Sequence, residues 1–336
     1  MAQASSSFLV DRRDIDFVIQ EHLDLKKLLS LPYFSAHSVE SINEMLTSAI
    51  NYSEKILGPL NKVGDRIGCQ HDKQTKEVKT PPGTKEAYKQ FVESGFLTAT
   101  DTEEAGGLQA PNLMSSVFLE LFSSANQGFV MYAGLTKSAA LVLKKFGDDW
   151  MHKFCLPKVA EGKWTGTMCL TEPSAGSAVG DLKTSAKKMP DGSYRIKGVK
   201  QWISGGENDF TENIFHLVLA RIEGAPAGME GVSLFFVPKF KINKETGSLG
   251  AKNDLYCISL EEKLGIHGNA TCLMSFGDNE NCEGFLIGKE NQGISYMFIM
   301  MNEARVYVGL QGVGLASAAF LKKEFKVLMS PLKEMQ

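Results

Sequence analysis

The spacing of hydrophobic and polar positions changes at about residue 165. Before that point apolar residues recur every three to four positions, which is the spacing of amphipathic helices. This pattern predicts helices over 16–29, 38–57, 84–94, 112–125, 133–146 and 149–161. Ser38 and Ser41 are candidate N-caps, and Gly58-Pro59 is expected to end the second helix. The polar stretch 63–83 is predicted to be a loop.

Between residues 166 and 287 the chain consists of short runs rich in β-branched and aromatic residues, separated by Gly, Asp and Asn. Such runs predict strands, here over 193–199, 214–221, 231–238 and 272–276. Asp191-Gly192 stands between two further short runs, 184–188 and 194–197, and predicts a tight hairpin turn. We therefore expect a β-barrel or sandwich in this part of the chain.

Helical character returns at about Gly293, and residues 295–320 are apolar on nearly every side. Such a helix is normally buried between other helices. Few residues follow it, so we expect an incomplete helical domain that leaves part of its apolar surface exposed. The predicted fold class is α+β, with a helical domain over 1–165, a β-barrel domain over 166–287 and the start of a second helical domain over 288–336.

Composition narrows the class of protein only slightly. Of the 336 residues, 43% are hydrophobic and 22% are charged, and the formal net charge is −3, as in an ordinary soluble protein. No basic block suggests binding to nucleic acid. No apolar run approaches the roughly 18 residues of a membrane span, and Met1–Val10 lacks the features of a secretory signal. The six cysteines lack metal-ligand spacing, which favours reduced thiols in the cytoplasm and no metal site.

Three segments carry candidate chemistry. In Thr167–Asp181 (TMCLTEPSAGSAVGD) small residues would let a large flat ligand approach the backbone, although a Ser-rich turn without a ligand is the alternative. In Lys200–Asn208 (KQWISGGEN) the indole of Trp202 could lie along an aromatic ligand or instead fill the core. In Asn302–Gly314 (NEARVYVGLQGVG) an Arg lies inside an apolar helix and needs an anionic partner, either a ligand or a carboxylate such as Glu303.

Taken in this order, the segments resemble the acyl-CoA dehydrogenase family. Residues 169–177 (CLTEPSAGS) match the first signature of that family, and the K-x-W-I-S strand and the Arg-containing helix follow in the same order. Residues 261–269, 270–276 and 288–301 are similar to the larger bacterial branch, which includes the 3-methylmercaptopropionyl-CoA dehydrogenases. The resemblance covers about residues 10–320.

The resemblance implies FAD as the cofactor, an acyl-CoA as the substrate, and α,β-dehydrogenation to the 2-enoyl-CoA as the reaction. The implied flavin contacts come from the signature and the tryptophan strand, and they are Met168, Leu170, Thr171, Ser177, Trp202, Ile203 and Ser204. The implied contacts with the CoA part of the substrate are Ser177, Asn302 and Arg305. Ser204 would lie near the flavin N5 atom, which receives the hydride.

Two positions depart from the pattern of the family. Ala178 stands where the family usually has Asp, which leaves the geometry of that loop open, although Asp181 follows shortly after. In most members the Glu that removes the substrate's α-proton lies at a position that would follow Gln336. In a minority it directly precedes the helix Arg, where this chain has Ala304. The catalytic base is therefore expected beyond Gln336, with Glu303 as the first candidate inside the chain.

The resemblance also implies an electron-transferring flavoprotein as electron acceptor and a homodimer or homotetramer for the full-length protein. It implies no nucleic acid and no membrane partner. Two alternatives stay open: an acyl-CoA oxidase-type flavoenzyme, in which oxygen reoxidises the flavin, and an inactive or regulatory flavoprotein of the same fold. The length of the acyl chain does not follow from the sequence.

Overall fold

The computed structural model describes residues 10–333, and the side chains of residues 10–322. The predicted succession of helices, strands and a final helix is confirmed, and with it the α+β class. Strands of the main sheet begin at Trp164, and the final helix begins at Gly293. The proposed domain boundaries at 165 and 287 stay a prediction. What was expected of residues 1–9 and 334–336 lies outside the described residues.

The chain before Trp164 forms short and long helices around a core of aromatic rings. The α-helices are α1 (Arg12–Asp16), α2 (Leu25–Leu29), α3 (Val39–Tyr52), α4 (Gly58–Ile67), α5 (Thr84–Glu93), α6 (Asn112–Phe146) and α7 (Leu156–Ala160). The π-helical segments are Phe17–His22, Ser53–Leu57 and Met151–Cys155, and the 3-10 segments are Pro32–Phe34 and Glu103–Ala105. Ser38 caps α3 as predicted, since its side chain accepts the Ser41 N–H.

Two predictions for this part were wrong. Gly58-Pro59 does not end a helix, because α4 begins there and carries the proline in its first turn, where the missing N–H costs nothing. The predicted loop 63–83 contains the end of α4 and a small hairpin, β1 (Gln70–His71) with β2 (Val78–Lys79). The Asp72 carboxylate holds the hairpin turn by accepting the Gln74 N–H at 2.7 Å.

The β-part contains a closed barrel, as predicted. Its strands are β3 (Trp164–Cys169), β4 (Ser185–Lys188), β5 (Tyr194–Ser204), β6 (Asn213–Ile222), β7 (Val232–Pro238), β10 (Leu255–Leu260), β11 (Thr271–Phe276) and β12 (Glu283–Leu286), and β8 (Phe240–Ile242) with β9 (Leu249–Lys252) forms a separate hairpin. A ring is closed because β4 pairs with β5, β5 with β12, β12 with β7, β7 with β6, and β6 with β4. β3 joins β6 in parallel, and β11 joins the far half of β5.

The final helix, α8 (Gly293–Lys333), packs along α6. The Ser124 hydroxyl of α6 donates to the Gly314 carbonyl at 2.8 Å, and the ring of Tyr307 lies over Gly134. The opposite side of α8 is exposed, which confirms the predicted apolar surface. Its large exposed side chains are Phe298, Val306, Val308, Val313, Leu315 and Phe320.

By length and composition, Gly293–Lys322 is long and apolar enough to cross a membrane. The expectation that the chain contains no such stretch was therefore wrong on this criterion. Core helices of soluble proteins can have the same length and composition. Contact between α8 and α6 accounts for part of the apolar character of the helix.

Candidate functional site

The signature turn, which we define as residues 170–177, lies directly beside β5. The Gln201 N–H donates to the Thr171 carbonyl at 2.9 Å. Two reciprocal backbone hydrogen bonds between Glu172 and Ala175, each 3.1 Å long, close the turn itself. The two segments that were predicted to share a ligand are therefore neighbours in the fold.

A β-bulge directs Trp202 out of the sheet. The register between β5 and β11 shifts so that Gln201 and Trp202 stand opposite the single residue Leu273. Trp202 has φ of 59°, in the left-handed region, and its side chain is 58% exposed. Bulges often re-aim a side chain next to an active site, and left-handed backbone in a bulky residue costs free energy. The alternative that Trp202 fills the core is therefore wrong.

A buried ion pair lies behind the signature turn. Lys200 Nζ donates at 2.9 Å to Glu172 Oε1 and at 2.9 Å to the Leu170 carbonyl. The Glu172 carboxylate also accepts the Thr184 N–H and hydroxyl and the Lys183 N–H. Burial lowers the pKa of Lys200, and Glu172 opposes that shift. Burial raises the pKa of Glu172, but Lys200 and these hydrogen bonds hold it below its usual value.

The predicted flavin contacts differ in accessibility. Met168, Leu170, Thr171 and Ser204 are half-buried, and Ser177 is exposed. Within residues 10–322 the hydroxyls of Thr171, Ser177 and Ser204 form no hydrogen bond, so they are available to a ligand. Ile203 is different, because its side chain is buried in the barrel core and only its backbone could contact a cofactor. An accessible indole beside free hydroxyls suits a flat, polar-edged ring system such as a flavin.

Asn302 and Arg305 lie together on the exposed side of α8. The Arg305 guanidinium donates to Asn302 Oδ1 and stands 5.5 Å from the centroid of the Phe298 ring. The expectation of a buried Arg was wrong, and Arg305 forms no ion pair among the described side chains. Within that same part of the chain no hydrogen bond joins Asn302 or Arg305 to the signature turn. An exposed guanidinium of this kind can bind an anionic group such as a phosphate.

Glu303 faces α6 instead of sharing the exposed side with Arg305. Its Oε1 accepts the Tyr307 hydroxyl at 2.9 Å, while its Oε2 is buried without a partner. Burial and the neighbouring Glu303 raise the pKa of Tyr307. This arrangement favours a structural role for Glu303. Its role as a base stays a prediction.

Sequence reasoning missed three residues that organise the site. Glu172 and Lys200 are part of the quoted motifs, but their spacing in the sequence gives no sign that their side chains form an ion pair. The third is Arg221 of β6, which donates to the carbonyls of Gly180 at 2.7 Å and Gly228 at 3.0 Å. It holds the loop after the signature turn, which contains Ala178.

The described residues offer neither a metal site nor a reactive cysteine. Among them, no three His, Cys, Asp or Glu side chains are grouped as a metal ion would require. All six cysteines are free thiols, and five of them are buried. Burial raises the pKa of the Cys169 thiol to about 12, so this thiol is not a nucleophile at neutral pH.

Family models and curated relatives indicate the same protein family. Residues 68–163 match the model of the acyl-CoA dehydrogenase N-terminal domain, and residues 167–279 match that of the acyl-CoA dehydrogenase middle domain. A 3-methylmercaptopropionyl-CoA dehydrogenase of Ruegeria pomeroyi is 38% identical over 92% of this chain and 51% of its own length. The chain thus spans about half the length of the curated relatives that it matches.

Solved structures share the fold. The butyryl-CoA dehydrogenase of Megasphaera elsdenii superposes with a TM-score of 0.67 at 22% identity, over 84% of this chain and 67% of its own. An acyl-CoA dehydrogenase of Bacillus anthracis, complexed with FAD, superposes with a TM-score of 0.64 at 24% identity, over 83% of this chain and 42% of its own. With both family models matched in the expected order, the chain belongs to the acyl-CoA dehydrogenase family.

Proposed function

We propose that this chain provides the flavin-binding and part of the acyl-CoA-binding machinery of an FAD-dependent acyl-CoA dehydrogenase. The reaction is oxidation of an acyl-CoA thioester to the 2-enoyl-CoA. The observation that carries the proposal is the hydrogen bond from the Gln201 N–H to the Thr171 carbonyl, which sets the signature turn beside Trp202 in a member of this family. The names of curated relatives support the reaction class.

When bound, FAD supplies the acceptor for the hydride that leaves the β-carbon of the substrate. The chain's own residues bind and orient the ring system. Trp202 offers an accessible aromatic face, and Thr171 and Ser204 offer free hydroxyls to polar edges. Leu170 and Met168 line the same end of β3 with half-buried apolar surface.

Two further features suit the substrate. Asn302 and Arg305 present an amide and a guanidinium on the exposed side of α8, and the guanidinium forms no ion pair among the described side chains, which suits the phosphates of CoA. An apolar cavity lies between α5, α6 and α8, and we propose that it takes the acyl chain. Its lining includes Phe91, Phe118, Phe122, Val130, Gly134 and Tyr307.

The base that removes the α-proton is not assigned to a residue of this chain, because Glu303 is engaged by Tyr307. The same proposal includes an electron-transferring flavoprotein as the electron acceptor, a homo-oligomeric full-length protein and a cytoplasmic location. The free thiols support the location, since disulfides are rare in the cytoplasm.

The test is to load the purified chain with FAD and to measure the bound flavin by its visible absorbance. Butyryl-CoA binding to the loaded chain is then measured by calorimetry, for the wild type, for Arg305→Gln and for Arg13→Gln as an exposed-arginine control. We expect bound FAD, and weaker butyryl-CoA binding for Arg305→Gln alone. Absence of stable FAD binding by the wild type would overturn the proposal.

An anaerobic assay addresses the base separately. Butyryl-CoA is added to the loaded chain while the flavin absorbance is followed. Little bleaching is expected, because general-base catalysis alone contributes roughly 10²–10⁴-fold to the rate. Rapid bleaching that Glu303→Gln abolishes would instead identify Glu303 as the base.

A further inference from the structure

The two halves of the candidate flavin site come from segments far apart in sequence, and one buried side chain contacts both. Lys200 belongs to β5, two residues before Trp202, and its ammonium reaches the Leu170 carbonyl and the Glu172 carboxylate of the signature turn. We propose that Lys200 and Glu172 are positioning residues, which hold the turn and Trp202 at the spacing that the flavin requires. This inference rests on the proposed function.

The contacts of the pair reach three segments. Lys200 joins β5 to the turn through hydrogen bonds of 2.9 Å to both acceptors. Glu172 joins the turn to the residues that lead into β4, since its two oxygens accept the Lys183 N–H at 2.7 Å and the Thr184 N–H at 3.0 Å. Lys200 is fully buried and Glu172 is 4% exposed. Water therefore cannot replace these contacts without opening the fold.

The turn has few other means of support. Pro173, Ser174, Gly176 and Ser177 are exposed, and Ala175 is the only buried residue among positions 173–177. The reciprocal hydrogen bonds of Glu172 with Ala175 fix the turn's internal shape but not its place relative to Trp202. Among the described residues, the hydrogen bonds that join the turn to β5 are the Gln201–Thr171 bond and the bonds from Lys200 to Leu170 and Glu172. The bulge at Gln201 begins at the residue after Lys200, so displacement of Lys200 would also redirect the indole.

Stability alone is a poor explanation for this pair. Desolvation of two charges can exceed their attraction, and apolar residues of similar volume are often equally stabilising. A geometric role explains why charged groups occupy the position. A second buried ion pair, Lys239 with Glu207, lies just after the ends of β7 and β5, and it forms no hydrogen bond with the signature turn or with Trp202. It provides a matched control.

The experiment compares Lys200→Met, Lys200→Met/Glu172→Gln and the control Lys239→Met/Glu207→Gln in the full chain. Three quantities are measured: the FAD dissociation constant, the visible absorbance spectrum of bound flavin, and the thermal midpoint without FAD. Removing Lys200 alone leaves Glu172 buried and unpaired, which is expected to lower the thermal midpoint most. The double variant removes that charge and therefore keeps the test valid if the single variant unfolds.

We expect the Lys200/Glu172 double variant to recover most of the thermal midpoint but to bind FAD roughly tenfold more weakly, with an altered flavin spectrum. The control variant should shift the midpoint without changing either flavin property. If the wild type binds FAD and the double variant binds it equally well with the same spectrum, the inference is overturned while the proposed function stands. Equal loss of FAD binding in the control variant would also overturn it. A wild type that does not bind FAD overturns the proposed function itself.

Discussion

At the scale of single residues, the backbone often decides what a side chain can do. Trp202 is accessible because a bulge and a left-handed φ turn it away from the barrel, whereas its neighbour Ile203 is buried. Trp202 and Ile203 were both predicted as flavin contacts, because the motif K-x-W-I-S does not indicate the β-bulge that separates their orientations. His216 shows the opposite extreme, being fully buried inside the sheet with Nδ1 2.8 Å from the Thr167 hydroxyl.

Replacing Trp202 by Ala should weaken FAD binding without destabilising the fold. The exposed indole packs on little of the protein, while stacking on a flavin is worth roughly 0.5–1.5 kcal/mol beyond area burial, or about 2- to 12-fold in affinity. Trp150→Ala is the matched control, because Trp150 packs against the rings of Phe236 and Phe285. We expect the control to lower the thermal midpoint and to leave the FAD dissociation constant unchanged. The reverse pattern would contradict this assignment.

Burial of His216 should make the protein less stable in mild acid. Burial, with a smaller contribution from Lys239, lowers the pKa of His216 to about 3, below the value of about 6.5 in an unfolded chain. The unfolded state therefore binds a proton below pH ~6.5 that the folded state excludes. The free energy of unfolding should fall as pH decreases from about 6.5 towards 3, by up to about 1.4 kcal/mol per pH unit.

Urea unfolding at pH 7 and pH 5.5 measures this effect. His216→Asn is compared with the wild type, since both contain the same other titrating groups. The variant is expected to show a flatter dependence on pH, whatever its stability at pH 7. Identical slopes for the two proteins would show that His216 is not the responsible group.

At the scale of elements, the sequence predicted the strands and long helices well, because periodicity reports which side is buried. It failed where long-range contacts determine the local shape. The π-helical turn Ser53–Leu57 joins α3 to α4 without a break, so Pro59 became an internal first-turn residue. By contrast, the two helices predicted over 112–125 and 133–146 agree with the structure at the end of the first, because Asn126 has non-helical φ and ψ (−159° and 85°) and divides α6 there. For the candidate site, motif letters identified the turn and Trp202, but Arg221 lies on another strand and carried no local signal.

The Asn126 kink should depend on the asparagine side chain. Its Oδ1 accepts the Phe129 N–H at 3.0 Å and acts as an N-cap inside the helix, while its Nδ2 donates to the Leu57 carbonyl at 3.3 Å. Asn126→Ala should therefore lower the free energy of unfolding by about 1–2 kcal/mol. The control Asn51→Ala removes an exposed amide and should change it by less than about 0.5 kcal/mol. Denaturant titration of both variants provides the comparison, and equal effects would argue against an internal cap.

At the scale of the whole molecule, helices and barrel meet along α6, which packs on α8 and also contacts β3. The Gly166 N–H of β3 donates to the Thr136 hydroxyl of α6 at 3.0 Å, and the Ala270 N–H donates to the Tyr132 hydroxyl at 2.9 Å. These bonds fix the barrel against the helical part. The far side of α8 has no such cover among the described side chains, and it carries several large apolar residues.

Exposure of that side of α8 should make the chain associate in solution. A contiguous apolar patch of more than a few hundred Å² usually marks an interaction site or leads to aggregation. We expect light scattering to detect oligomers, and we expect Val306→Lys/Val308→Lys to shift the population towards monomer. Leu264→Lys, which replaces an isolated exposed residue in a loop, should leave the population unchanged. A monodisperse wild-type monomer would contradict the prediction.

Closure of the barrel also has a consequence for biosynthesis. The ring is completed only when β12 pairs with β5 and β7. Because Arg195 of β5 pairs with Glu283 of β12, this step requires that residue 283 has already been synthesised. Pairings between segments so far apart are slow, because loop-closure entropy is lost before the contacts are gained. The helical part, whose contacts are more local, is expected to fold during synthesis, whereas the flavin pocket matures late. During that interval the apolar strands β6 and β7 are expected to be prone to aggregation.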